Sequence, residues 1–112
     1  MNPYYDTKEL GFEILALDEN CGYSFNTLIF LSNGRGQIFT AQDSGCSCPI
    51  PFDDYEGNTQ IEVEQKLERV GSLEQANQIF NTWNKDYDNK PHVNKSESEM
   101  EIEKFFKKHF TL

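Results

Sequence analysis

The sequence predicts an α+β domain in which a three-stranded antiparallel sheet packs against two or three helices. Three short runs rich in β-branched or aromatic residues lie in the first part of the chain. Helix-capping patterns followed by apolar residues at helical spacing lie in the second part. A chain of 112 residues has room for one core, so we expect a single domain over 1–112 with its core at about 10–84.

The predicted strands are residues 12–17, 25–31 and 37–42. Asn33 and Gly34 separate the last two and indicate a tight hairpin, because both residue types tolerate a positive φ. The middle run is apolar at successive positions, whereas the outer runs alternate more. We therefore expect the middle run to be the central strand of a meander, covered by helices on at least one face.

A segment rich in Gly, Pro and Asp follows over residues 43–58 and is predicted to be an ordered Cys/Pro-rich loop. Two prolines, Pro49 and Pro51, favour extended backbone in the residues before them. Ile50 and Phe52 are expected to anchor this loop to the sheet as buried apolar side chains.

Three helical segments are predicted in the second half. Thr59 opens a capping box and a short helix through Val70. Ile61 and Val63 could instead form a short strand, so residues 60–70 stay open between helix and strand. Ser72 opens a second capping box and a helix over 73–84, with apolar residues at helical spacing.

The last segments are a polar linker and a C-terminal helix. Residues 85–95 are polar and contain a proline, which is typical of a linker. The C-terminal helix is expected over 96–110, starting at about residue 97, with glutamates in its first half and lysines in its second.

The chain is acidic, with 19 acidic and 10 basic residues and a formal charge of −9. Residues 1–58 hold nine acidic and two basic residues, a net −7. Such a surface repels phosphate backbones, so direct nucleic-acid binding is disfavoured and a basic protein surface is the expected partner. The alternative is that the charge only maintains solubility.

The sequence favours a cytoplasmic location. Its first residues have neither the basic nor the apolar region of a secretory signal. The longest apolar run, residues 28–31, is too short to cross a bilayer, so no membrane association is predicted. Three cysteines, an odd number, fit a reducing compartment better than a disulfide framework.

Cys46 and Cys48 are the candidate metal ligands. On an extended backbone they lie on one side, about 6.5–7 Å apart along the chain, and can share a zinc ion. The candidates to complete a tetrahedron are Cys21, Asp43, His92 and His109. Structural zinc sites usually show two ligand pairs, so buried inert thiols are the main interpretation and no cofactor is predicted. A zinc or thiol-redox module centred on this pair is the alternative function.

Four residues of the same segment form the candidate partner-binding site: Asp53, Asp54, Tyr55 and Glu56. Binding residues concentrate on loops held by a rigid scaffold. Their spacing matches no EF-hand calcium loop. No nucleophile elbow or other catalytic constellation is visible, so the chain is predicted not to be an enzyme.

The stretch Ala41-Gln-Asp-Ser-Gly-Cys-Ser-Cys-Pro-Ile-Pro-Phe52 resembles the core of a group of small uncharacterised bacteriophage proteins. The resemblance covers about residues 25–84 and implies a phage or prophage origin, with no activity attached. We therefore expect an acidic binding protein in the cytoplasm of a bacterial host, an antagonist of a host protein such as a nucleic-acid-handling defence factor. A small assembly factor that acts through homo-oligomerisation is a further alternative.

Overall fold

The computed structural model describes residues 1–21, 24–46, 50–85 and 91–111, with only the backbone of residues 19–21 and 46. Its elements are β1 (Glu13–Cys21), β2 (Ser24–Ser32), β3 (Ile38–Cys46), a 3₁₀ helix (Asp53–Tyr55), α1 (Gln60–Glu64), β4 (Glu68–Val70), α2 (Leu73–Trp83) and α3 (Lys95–His109). The strands form one sheet in the order β1-β2-β3-β4, and every neighbouring pair is antiparallel. The α+β class and the antiparallel sheet are confirmed, and the predicted number of three strands is wrong by one.

The central strand β2 is buried on both faces. Leu28 and Phe30 belong to one apolar cluster, and Ile29 and Leu31 belong to the other. All four side chains are at most 1% exposed. Successive apolar residues mark a strand covered on both sides, so the pattern that predicted the central strand also explains the two-sided core.

Different parts of the chain cover the two faces of the sheet. The first apolar cluster joins the sheet to α2 and α3 and contains Leu17, Leu28, Phe30, Ile38, Val70, Ala76, Phe80, Trp83, Ile102 and Phe106. The second joins it to the N-terminal segment, the segment after β3 and α1, and contains Leu10, Phe12, Ile29, Leu31, Ala41, Phe52 and Val63. The sheet is thus the middle layer of three.

Side-chain caps set the starts of the helices. Thr59, Ser72 and Asn94 each accept a hydrogen bond from the backbone N–H three residues further on. The first two confirm the predicted N-caps, while the returning bonds of Glu62 and Gln75 come from the N–H of the residue before each cap, Asn58 and Gly71. Asn94 was assigned to the linker, yet it caps α3, which therefore begins at Lys95. Of the rest of that linker, residues 86–90 lie outside the described part of the chain.

The helix predicted through Val70 is wrong in its second half. It ends at Glu64, and Glu68–Val70 is the edge strand β4, paired with β3. Val70 lies opposite Ile38, and both side chains are fully buried in the first apolar cluster. The alternative of a short strand at Ile61 and Val63 is also wrong, because both residues lie in α1. The strand forms further on, where burial against β3 overrides local helix propensity.

The predicted start of the loop at Asp43 is also wrong. Residues 43–46 continue β3, with Asp43 opposite Thr27 and Gly45 opposite Phe25 on β2. Gly, Ser and Asp have poor strand propensity, but the full-length partner strand supplies the ladder of hydrogen bonds.

Among the described residues, no helix is both long and apolar enough to cross a membrane.

Candidate functional site

Residues 50–57, here called the acidic loop, come after β3 in the sequence and lie on the second face of the sheet, where Phe52 belongs to the second apolar cluster. Their central turn is the 3₁₀ helix Asp53–Tyr55. Asp53, Asp54 and Glu56 are exposed, and Tyr55 is half-buried. The structure therefore brings the four predicted partner-binding residues together on one short turn, with three carboxylates facing solvent.

Phe52 anchors the acidic loop. Its side chain is fully buried and stacks on Tyr4, with ring centroids 5.4 Å apart. Its backbone lies in the left-handed region at φ 63°, and its N–H donates to Asp43 Oδ2 at 2.7 Å. A bulky residue in this region costs about 1–2 kcal/mol, so the surrounding contacts must hold it there. The second predicted anchor, Ile50, is wrong because that side chain is 57% exposed.

The N-terminal segment holds the two ends of the acidic loop. The Met1 amino group donates to the Gly57 carbonyl at 2.9 Å, and the Gly57 N–H donates back to the Met1 carbonyl at 3.1 Å. Asn2 Nδ2 donates to the Pro51 carbonyl at 2.8 Å, and Asn2 is only 3% exposed. This role of Asn2 is not predicted by the sequence patterns above, although an Asn before a Pro is a known turn signal.

A cleft of about 440 Å³, here called the β3 groove, runs beside the acidic loop. Its walls include Leu28, Gln42, Asp43, Tyr55, Glu68 and Ile79. It lies along the outer side of β3 next to the end of β4, whose pairing with β3 covers only Ile38 to Thr40. Tyr55 belongs to both the acidic loop and the groove, so the two features form one continuous surface.

Negative charge shapes the chemistry of this surface. Burial raises the pKa of the Tyr55 hydroxyl, and the charges of Asp43 and Asp54 raise it further. The pKa of Tyr4, beneath the loop, is also raised, first by burial and then by the charge of Asp18. Both hydroxyls therefore remain protonated at neutral pH, and the surface favours cationic groups over anionic ones.

The structure describes only some of the candidate metal ligands. The side chain of Cys46 and all of Cys48 lie outside what the structure describes. The backbone register sets Cys21 and Cys46 on either side of Ser24, about 10 Å apart across β2. Within the described residues, no group of three or more His, Cys, Asp or Glu side chains could hold a metal ion.

The three other candidate ligands have different roles in the structure. Asp43 accepts from two backbone N–H groups, those of Ser44 at 2.9 Å and Phe52 at 2.7 Å. His109 Nε2 lies 3.1 Å from a Glu13 carboxylate oxygen. The ring of His92 packs on Trp83 with centroids 5.1 Å apart. These residues lie in separate parts of the fold, and Asp43 acts as a structural cap of the acidic loop.

A second cleft, of about 400 Å³, lies where β2 and β3 meet the end of α2. Trp83 Nε1 donates to Asn26 Oδ1 at 2.9 Å, and Asn26 Nδ2 lies 3.3 Å from His92 Nε2. The Trp83 ring is 4% exposed and belongs to the first apolar cluster. Its indole therefore joins α2 to the sheet.

Fold and site together define a small α+β domain that presents a tethered acidic loop beside an open strand edge. The chain belongs to the family described as a domain of unknown function, DUF7574, whose model matches residues 1–111. No curated protein and no solved structure matches the chain.

Proposed function

We propose that this protein is a non-enzymatic binding protein that engages a basic protein surface through its acidic loop. One observation carries the proposal: Asp53, Asp54 and Glu56 are exposed on a turn that is fixed by a buried anchor and by the N-terminal segment. Within the described residues, none of these three carboxylates has an ion-pair partner. They are thus available for a partner's Arg or Lys side chains.

Preorganisation supports the proposal. When binding has to order a flexible loop, the loss of the loop's conformational entropy weakens the affinity. Here the Phe52 anchor, the Asp43 cap and the paired Met1 and Gly57 backbones already fix the turn. Lys66 adds a further bond by donating from Nζ to the Glu56 carbonyl. The three carboxylates therefore have fixed positions before a partner binds, and binding would order little further structure in the acidic loop.

The net negative charge of the chain also supports the proposed binding to a basic protein surface. The formal charge of −9 and the acidic first half of the chain attract a basic surface over a distance and speed its encounter with the loop. Hydrogen-bonded pairs formed at the centre of the interface would then slow dissociation. This division of roles predicts a strong dependence of the association rate on salt.

A narrower proposal rests on the resemblance of the Ala41 to Phe52 stretch to small phage proteins. We propose that the target is a host protein in the bacterial cytoplasm whose basic surface normally handles nucleic acid, such as a defence factor. An acidic loop on a compact domain would occupy that surface in place of phosphates. The chain would then act as an antagonist.

Affinity capture from bacterial lysate tests the proposal. The test variant carries Asp53→Asn, Asp54→Asn and Glu56→Gln, which keep side-chain shape and remove three negative charges. The matched control carries Glu9→Gln, Glu97→Gln and Glu101→Gln, three exposed acids away from the acidic loop. Both variants therefore move the formal charge from −9 to about −6.

We expect wild type and control to capture the same basic protein at low and at physiological salt, and the test variant to lose most of it. Equal capture by all three chains would contradict the proposal. Equal loss by both variants would mean that net charge, and not the acidic loop, mediates the capture.

A further inference from the structure

The β3 groove lies against an unpaired strand edge. β3 runs to Cys46, but its pairing with β4 covers only Ile38 to Thr40. Among the described residues, no strand lies outside β3 from Ala41 onward. An open edge presents backbone donors and acceptors to which another chain can add a strand.

Strand geometry shows which backbone groups face the groove. Just beyond the ends of β2 and β3, the Asn33 N–H donates to the Gln37 carbonyl, so these two residues form the hydrogen-bonded pair that closes the hairpin. Such pairs recur at every second residue of an antiparallel ladder, so Ala41 and Asp43 also face β2. The N–H and C=O of Gln42 and Ser44 must then point outward.

The hydrogen bonds at the edge agree with this alternation. The Ser44 N–H donates to its neighbour Asp43 Oδ1 at 2.9 Å and is thereby occupied. The backbone N–H and C=O of Gln42 face the β3 groove, where no described group hydrogen-bonds to them. The edge is thus partly capped by Asp43 and open at Gln42.

The walls of the groove match the two sides of an added strand. Leu28 and Ile79 line the side towards α2 and are apolar. Asp43, Tyr55 and Lys66 line the side towards the acidic loop, where the Lys66 ammonium is already held by the Glu56 carbonyl. Glu68 marks the end of β4. Because successive side chains of a strand point to opposite faces, an occupant would place apolar residues on one side and basic residues on the other.

We propose that the β3 groove binds an extended segment of a partner protein as an added strand that continues the line of β4 along β3. The segment alternates apolar side chains, which pack on the half-buried Ile79, with Lys or Arg side chains, which face Asp43 and Tyr55. This inference rests on the proposed function and specifies how the partner binds. Main-chain bonds to Gln42 provide affinity, and the alternating side chains provide specificity.

The other open edge of the sheet is a weaker candidate. β1 also has one strand neighbour in the described chain, but Lys108 and His109 of α3 approach Glu13 at its start. Charged residues on an edge strand hinder the addition of a further strand. The β1 edge therefore provides a matched control for experiments on β3.

The probe is a fluorescent peptide of about ten residues that alternates lysine and valine, and binding to the full chain is followed by fluorescence anisotropy. Gln42→Pro removes the outward N–H of β3 while leaving the bonds to β2. Ala16→Pro removes an outward N–H of β1 by the same alternation and serves as the control. We expect Gln42→Pro to weaken binding about tenfold and Ala16→Pro to leave it within about twofold.

Two versions of the probe carry N-methyl groups on alternate residues, in the two registers. An added strand uses only every second N–H, so one version should bind like the parent peptide and the other should lose binding. This pair of peptides also decides the question if Gln42→Pro fails to fold, since it needs only the wild-type protein.

Three outcomes would overturn the added strand. If both N-methyl peptides bind equally, or if Gln42→Pro and Ala16→Pro behave alike, the peptide lies elsewhere. If wild type does not bind the probe at all but still captures a basic protein through the acidic loop, the proposed function stands and only the added strand fails. A dimer in sedimentation that Gln42→Pro dissociates would show that a second copy occupies the edge.

Discussion

Replacing Asp43 by alanine should destabilise the domain and release the acidic loop. Asp43 accepts hydrogen bonds from the Phe52 N–H at 2.7 Å and the Ser44 N–H at 2.9 Å. Phe52 needs this bond because its backbone lies in the left-handed region, at φ 63°. Without the carboxylate, the Phe52 N–H would be left with no partner next to a buried ring.

The magnitude follows from the two bonds. A hydrogen bond to a charged group contributes about 1.5–3 kcal/mol, and the exposed setting of Ser44 reduces its share. We therefore expect a loss of about 2–4 kcal/mol from a total that is about 5–15 kcal/mol in most domains. At a urea dependence of about 2 kcal/mol per M, the unfolding midpoint would fall by about 1–2 M.

Urea unfolding followed by the fluorescence of the buried Trp83 measures this change. Asp43→Asn keeps one acceptor oxygen and should lose about half as much. Asp53→Ala removes an exposed neighbouring carboxylate without a structural bond and should change stability by less than about 0.5 kcal/mol. If Asp43→Ala is no more destabilising than Asp53→Ala, the capping role assigned to Asp43 is wrong.

Three further predictions follow from other parts of the fold. Phe106→Ala in α3 should cost about 3–5 kcal/mol in urea unfolding, because this side chain is 4% exposed in the first apolar cluster; a change below about 1 kcal/mol would show that α3 is dispensable. The pKa values of Tyr4 and Tyr55 are raised above 10.0, so their contribution to stability is complete below about pH 10 and is lost as pH rises through the folded values. The double variant Tyr4→Phe, Tyr55→Phe should flatten this alkaline loss in urea midpoints measured on both sides of pH 10, and an unchanged slope would contradict the pKa directions. Elemental analysis should find clearly less than one zinc per chain, because four ligands are not evident; about one zinc, lost together with folding in Cys46→Ser, would favour the metal-binding alternative.

Local patterns were sufficient for most elements of the fold. The hairpin between β2 and β3 lies where Asn33 and Gly34 predicted it, but the positive φ angles are those of Gly34, at 80°, and Gly36, at 81°, and not that of Asn33. The caps at Thr59 and Ser72 could be found because a capping box is a short-range signal. The central position of β2 followed from its apolar residues on both faces.

The errors arose where distant contacts decide the structure. Glu68–Val70 becomes a strand because Ile38 lies opposite Val70, about thirty residues away along the chain. The N-terminal segment has little regular structure, so its bonds to Pro51 and Gly57 could not be predicted from periodicity.

Of the candidate site, the sequence identified the exposed acids but not what fixes them. The left-handed backbone of Phe52 is unusual for a bulky residue, and it is held by the burial of the Phe52 ring and by the hydrogen bond to Asp43. Asp43 can make this bond because β3 extends as far as Cys46. The β3 groove could not be predicted either, because its position depends on where the pairing of β4 with β3 ends.

The association rate of the captured partner with wild type and the two triple variants tests the central claim most directly. It is measured by stopped flow from low to high salt. We predict that the variant with Asp53→Asn, Asp54→Asn and Glu56→Gln associates about tenfold more slowly than wild type at low salt, and that the difference disappears at high salt. The variant with Glu9→Gln, Glu97→Gln and Glu101→Gln should stay close to wild type. Equal rates and equal salt slopes for wild type and both variants would contradict recognition through the acidic loop.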